Sequence, residues 1–151
     1  MYHKIMVPLD GSDFAEEALP HALKLAEAFN SELYLVQVVL SPAMIAVPYD
    51  ISYQFSESYR AAALKEAHDY MSHIAERYKE QFPNRIHTKV IEGSVADSLL
   101  EYADFNGIDL IVMATHGRSG ISRWVLGSVA ERLLRSAKCP IFLVRVHQGN
   151  E

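Results

Sequence analysis

Two short segments of the chain carry residue types suited to holding a phosphorylated ligand. The first is Pro8-Leu9-Asp10-Gly11-Ser12. The second is Met113-Ala114-Thr115-His116-Gly117-Arg118-Ser119-Gly120, which runs on to Gly127-Ser128. Glycine lets a phosphate approach the backbone, and Ser128 adds a hydroxyl donor at the expected start of a helix, where free N–H groups and roughly half a positive charge gather. Between residues 115 and 138, Arg118, Arg123, Arg132, Arg135 and Lys138 stand against Glu131 alone, a local charge of +4 in a chain of net charge −5. A positive island in an acidic chain points to an anionic ligand of limited size. Each sign also has a plainer reading. Glycines after a strand serve as turn residues, and Gly-Ser ahead of a helix is an ordinary cap. Asp10 either caps the first helix or meets a ligand from a strand end. Neither a Walker phosphate loop nor a Gly-x-Gly-x-x-Gly fingerprint is present.

Bond-breaking chemistry has weaker support. Hydrolysis of a bound nucleotide needs a positioned water and a group to orient or deprotonate it. His116 is the nearest candidate, and its place beside the glycines suits a hydrogen-bonding role in holding the loop better. The histidines offer no metal-ligand spacing; His68 and His73 lie five apart, off the same-face helical offsets of three and four. A phospho-acceptor receiver would need an acidic cluster after the first strand and an acceptor Asp after the third, where this chain has Glu92-Gly93-Ser94. Cys139, the single cysteine, reads as a small core residue before a redox sensor. Trp124, among the phosphate-side residues, suits either a lid or a subunit contact.

The elements that must position these segments follow from hydrophobic periodicity. The chain has 151 residues, 50% hydrophobic and 22% charged. That length suits a single domain over 1–151, one able to bury ~68–70% of its unfolded surface. The composition excludes a disordered chain, and one cysteine excludes a disulfide scaffold. No apolar run approaches the ~20 residues of a membrane span. Residues 1–9 do not have the make-up of a signal peptide. An excess of 19 acidic over 14 basic residues is a poor footprint for nucleic acid. The expectation is a cytoplasmic protein without membrane or nucleic-acid partners.

Apolar runs at His3–Leu9, Glu32–Leu40, Ile86–Glu92, Ile108–Ala114 and Ile141–Val146 read as strands. Between them, three- and four-residue spacing predicts helices: one N-capped by Ser12 with a kink or a locally opened hydrogen bond at Pro20, and one over Glu57–Gln81 with Ala63, Ala67, Tyr70, Met71, Ile74 and Tyr78 inward. A third is short, opened by a Ser94/Asp97 capping box and ended by Gly107, and a fourth runs from about Gly127 to Ala137. Residues 41–55 read as a long loop. Continuous apolar strands alternating with helices specify an α/β fold, a single doubly wound five-stranded parallel sheet with helices on both faces. Ligands of such sheets sit beyond the carboxyl ends of the strands, where the winding reverses. Pairing of the first and fourth strands would bring the two segments together there.

Taken together, these residues resemble the universal stress protein family in its nucleotide-binding branch, over essentially the whole chain. The resemblance runs from Pro8-Leu9-Asp10-Gly11-Ser12 to Cys139-Pro140 and the last strand, and is most specific from Met113 to Glu131. The family's ATP signature is Gly-x-x-Gly, nine residues, then Gly-Ser or Gly-Thr. Gly117, Arg118–Leu126 and Gly127-Ser128 fit it, with Ala114 replacing the first glycine. The resemblance implies a Rossmann-like, adenine nucleotide alpha hydrolase-like sheet that binds ATP, with Mg2+ carried by the phosphates. It implies that Pro8, Leu9 and Asp10 line the adenosine side, Asp10 near the ribose or a metal. Val38 would meet adenine through its backbone, and Met113 and Ala114 would floor the ribose region. Gly117, Arg118, Gly127, Ser128 and Val129 would surround the phosphates. It further implies a homodimer paired through strand 141–146, serving as a regulator or stress-response module. The alternatives are a nucleotide-free dimeric module acting through protein contacts and a slow ATP hydrolase.

Overall fold

In the computed structural model, which describes residues 1–41, 53–117 and 127–147, the apolar runs form strands and the periodic segments form the helices between them. The elements are β1 (Lys4–Leu9), α1 (Asp13–Glu16), α2 (Leu19–Phe29), β2 (Glu32–Leu40), α3 (Tyr53–Tyr78), β3 (Ile86–Gly93), α4 (Val95–Asn106), β4 (Leu110–Gly117), α5 (Ser128–Ser136) and β5 (Ile141–His147). Across the sheet the order is β3-β2-β1-β4-β5, and each neighbouring pair is parallel. The chain winds outward from β1 to β3, returns past β1, and winds outward again through β4 and β5. This is the doubly wound α/β class expected from the sequence, with β1 and β4 adjacent.

Side-chain alternation assigns the two faces. Ile5, Val7 and Leu9 of β1 cluster with Leu19 and Ala22 of α2 and with Met71 and Ile74 of α3. Met6, between them, joins the opposite cluster with Leu99 and Ala103 of α4 and Ala130 and Leu133 of α5. Burying such a side chain is worth ~1.5–3 kcal/mol, so central strands that are apolar on both faces recruit helices to both.

Four expectations need correction. The segment around Pro20 is broken, not kinked: α1 ends at Glu16, and α2 begins at Leu19 with Pro20 in its first turn. There the missing N–H costs nothing, because the first amides of a helix have no intrahelical acceptor. α3 begins at Tyr53 and so takes the last three residues of the expected loop; residues 42–52 lie outside the described residues. β4 starts at Leu110: the amide of Ile108 is still engaged with Ala103 O of α4 at 2.9 Å, and that of Asp109, donating to Lys4 O of β1 at 3.0 Å, leads into the β1–β4 ladder. The capping box is not made. Ser94 occupies the N-cap of α4 without a side-chain cap bond, and Asp97 instead accepts from Arg132 at 2.7 Å. Gly107 ends α4 in the left-handed conformation as expected, with φ 65°.

Candidate functional site

The two segments singled out in the sequence face each other because the sheet opens between them. β1 and β4 are in register at Ile5↔Leu110 and Met6↔Ile111. β1 stays paired with β2 as far as Leu9↔Gln37, and β4 with β5 as far as Gly117↔His147. The carboxyl ends of β1 and β4 therefore bound a cleft at the point where the winding reverses. Its volume is about 370 Å³, near the small end of the ~300–1,000 Å³ usual for small-molecule sites.

Six elements build its walls. Pro8, Leu9 and Asp10 end β1, and Met113, Ala114 and Thr115 come from β4. Val36 and Val38 of β2 with Val95 and Leu99 of α4 form an apolar wall, since even positions of β2 face α4. Phe14 and Ala15 of α1 lie beside the β1 end. Gly127, Ser128, Val129 and Ala130 bring the start of α5 to the cleft.

Of the residues expected at the site, Pro8, Leu9, Asp10, Val38, Met113, Ala114, Gly127, Ser128 and Val129 line this one cleft. Gly117 is not among the lining; it closes β4, paired with His147. Arg118, Arg123 and Trp124 lie outside the described residues. Sequence reasoning missed Phe14, Ala15, Val36, Val95, Leu99, Thr115 and Ala130. Two of its own patterns pointed there: Val36 shares a strand face with Val38, and Val95 and Leu99 are four apart on one helix face.

Local geometry settles the role of Asp10 in its turn. Ser12 caps α1, its Oγ accepting from the Ala15 amide at 3.1 Å and donating to Asp10 Oδ1 at 2.5 Å. Asp10 Oδ1 also accepts from the Ser12 amide at 2.9 Å. Asp10 thus braces the capping residue from a position in the cleft lining instead of capping the helix itself.

At the other wall, Gly127 is the N-cap of α5 with φ 79° and ψ 150°, a conformation open essentially to glycine alone. A Cβ built there would meet nothing within 4 Å. Gly127 has no side chain to cap the helix, so among the described residues the amides of its first turn are left available to an anion. Ala114, in contrast, lies in a regular strand and is not among the positive-φ residues. Its methyl packs against the α2/α3-side cluster, as does Ala15.

The three described cations of the positive island are paired within the fold. Arg132 pairs with Asp97 at 2.7 Å and Lys138 with Asp104 at 2.7 Å, tying α5 to α4. Arg135 pairs with Glu131 at 2.6 Å along α5. These three cations are engaged in ion pairs, and the other two of the island, Arg118 and Arg123, lie outside the described residues. Among the described residues, what remains for an anion is the α5 terminus and the Ser128 hydroxyl. No group of three His, Cys, Asp or Glu side chains able to hold a metal occurs among the described residues. Cys139 is half-buried behind α4 and α5, and burial pushes its thiol above the ordinary range, as a core role requires.

Residues 1–145 match the profile of the Universal stress protein family. A universal stress protein of Methanocaldococcus jannaschii, MJ0531, is 36% identical over 145 residues, which cover 96% of this chain and 83% of that protein. The solved structure of universal stress protein UspA from Lactobacillus plantarum superposes with a TM-score of 0.79 at 25% identity, covering 95% of this chain and 98% of that one. A universal stress protein from Archaeoglobus fulgidus, solved in complex with dAMP, shares the fold with a TM-score of 0.65 at 18% identity, covering 94% and 97%. None of the described helices is long and apolar enough to cross a membrane.

Proposed function

The chain belongs to the universal stress protein family, and from that premise we propose that its cleft binds ATP, with occupancy serving as a signal or as structural support in a cytoplasmic homodimer. One observation carries the reading: a single cleft joins an apolar wall to an uncapped helix start. A purine is flat and largely apolar, and its phosphates need backbone donors. The wall of Val36, Val38, Val95 and Leu99 suits the first, and Gly127 to Ala130 the second. The residues present fit the nucleotide, because the space that a side chain at position 127 would fill is open. Asp10 is the carboxylate of the lining, alone in it and too few to hold an ion without the phosphates, which would carry Mg2+. The dAMP complex of a same-fold relative supports the choice of adenine.

The first measurement is mass spectrometry of small molecules released by denaturing the purified protein, followed by titration with Mg-ATP. Adenine nucleotide near one per chain, or saturable binding on titration, is the expected result. The ATP-to-ADP ratio followed over time tests for hydrolysis. A flat titration at millimolar nucleotide would overturn the reading.

Gly127→Leu tests the placement. The substitution sets a branched side chain in the phosphate space and strains φ 79°, a cost of ~1–3 kcal/mol in stability. Affinity should fall at least about tenfold in protein shown folded by circular dichroism. Unchanged affinity in a folded Gly127→Leu protein would place the phosphates elsewhere.

A further inference from the structure

One element of the cleft has little of its own to hold it in place. α1 is a single turn of four residues, set between Gly11 at φ 86° and the break after Glu17, and none of its side chains is fully buried. One turn is far below the ~12–15 residues at which an isolated helix is even marginal in water, so outside contacts decide where it lies. Yet it brings Phe14 and Ala15 to the cleft lining, beside Asp10. We infer that Glu16, which is not in that lining, is a positioning residue of the nucleotide site, latching α1 to α3. This role rests on nucleotide binding in the cleft.

The latch uses both carboxylate oxygens. Glu16 Oε2 accepts from the Tyr70 hydroxyl at 3.2 Å, and Oε1 accepts from Arg77 Nη1 at 3.1 Å. Tyr70 and Arg77 are seven apart, two turns of α3, and so share one side of it. That helix is a firm reference, because Met71 and Ile74 between them are buried in the core. Arg77 is steadied in turn by the Tyr78 ring, whose centre lies 5.9 Å from its guanidinium carbon. Burial, with the Glu16 carboxylate beside it, pushes the Tyr70 hydroxyl above its ordinary range and keeps it a donor. The Glu16 side chain is only 19% exposed. The pairs Lys24–Glu27, Lys65–Asp69 and Glu76–Lys79, by contrast, join neighbours one turn apart on the surface and fix no element against another.

At its other end α1 is tied to the cleft itself. Asp10 of the lining accepts from the Ser12 hydroxyl, and Ser12 caps α1. Releasing Glu16 frees the far end of this turn, and Phe14, Ala15 and Asp10 lose their common placement. Ligand contacts depend on placement to within ~0.5 Å, so affinity should register the loss.

The test is calorimetric titration of the whole protein with Mg-ATP, with thermal melts of the nucleotide-free variants beside it. Glu16→Ala and Arg77→Met should each weaken binding at least about fivefold. A change of net charge alone would move the two in opposite directions, since ATP is an anion and Glu16→Ala removes a negative charge. Arg77→Lys can still supply the single N–H donor and should bind within about twofold of the parent. The double variant should bind within about twofold of Glu16→Ala, because both substitutions break one contact. An ion pair of purely structural role would lower the melting temperature and leave affinity unchanged. Arg77 is 45% exposed, so Arg77→Met keeps the test decisive even if Glu16→Ala folds poorly. Absence of binding in the parent protein would overturn nucleotide binding and this role together. Binding in the parent with affinity unchanged in either folded variant, or raised in Glu16→Ala, would overturn the positioning role alone.

Discussion

A methyl group at position 114 stands where the family's nucleotide signature has its first glycine, and its surroundings say what that methyl does. Ala114 sits in extended backbone paired with Val144, so no left-handed conformation is lost by carrying a side chain. The methyl is packed with the α2/α3-side cluster, so its removal takes away contact without opening the phosphate end. Ala114→Gly should therefore destabilise the protein by ~0.5–1 kcal/mol, the usual cost of glycine in a strand interior, lowering Tm by about 1–4 °C. Nucleotide affinity should change by less than about threefold. Thermal melts and Mg-ATP titration check both, and a gain of tenfold or more would show that the methyl obstructs the ribose. Residues of this kind were legible from the sequence because strand ends and glycine spacing are local signals. Glu16 was not, since only the packed structure brings its carboxylate to Tyr70 and Arg77.

At the scale of elements, Pro20 separates two descriptions of the same periodic pattern. The three- and four-residue spacing of Phe14, Ala15, Ala18, Leu19 and Ala22 continues through the break, because α1 and α2 rest on one face of the sheet. The amides of Glu17 and Ala18 turn back to Phe14 and Ala15, three residues behind them, and the α-helical ladder resumes from Ala22 to Ala18 at 3.0 Å. In the first turn of α2, Pro20 removes no needed donor. Pro20→Ala should leave stability within about 1 kcal/mol of the parent, slightly lower through the freer unfolded chain. A proline kinking a helix interior would give the opposite result, with Ala recovering ~3 kcal/mol. Urea denaturation distinguishes the two, and a large stabilisation would restore the kinked helix. The unmade capping box has a related cause. Its acid is claimed by Arg132, a residue 35 positions away on α5, and no local pattern reports such a partner. The doubly wound class, by contrast, was recoverable, because continuous apolar strands and right-handed crossovers leave few arrangements.

For the whole molecule, the two edges of the sheet differ in how they are guarded. β3 exposes Thr88 and Lys89, and Glu92 near its end is held by Arg60 of α3 at 2.7 Å. Charge of this kind discourages pairing with another chain. β5 presents Ile141, Phe142, Leu143, Val144 and Val146 with Arg145 as its arginine, and Phe142 is 41% exposed. An apolar edge strand this short of charge calls for a cover, which is the role the proposed homodimer gives to the same strand of a second chain. The consequence reaches the cleft. Met113, Ala114 and Thr115 in its lining are in register with Leu143, Val144 and Arg145, so the edge that the proposed dimer would use stands one strand from the cleft. Light scattering at tens of micromolar should report twice the mass of one chain. Phe142→Lys combined with Val146→Lys puts two charges on that edge and should raise the dissociation constant at least about tenfold, since like charges brought together across a symmetric interface repel twice over. Phe142 also lies 5.8 Å from the His21 ring, so circular dichroism must first show the variant folded. A single-chain mass for the parent protein, or an undisturbed dimer in the folded double-lysine variant, would move the interface away from β5 and leave that edge to another partner.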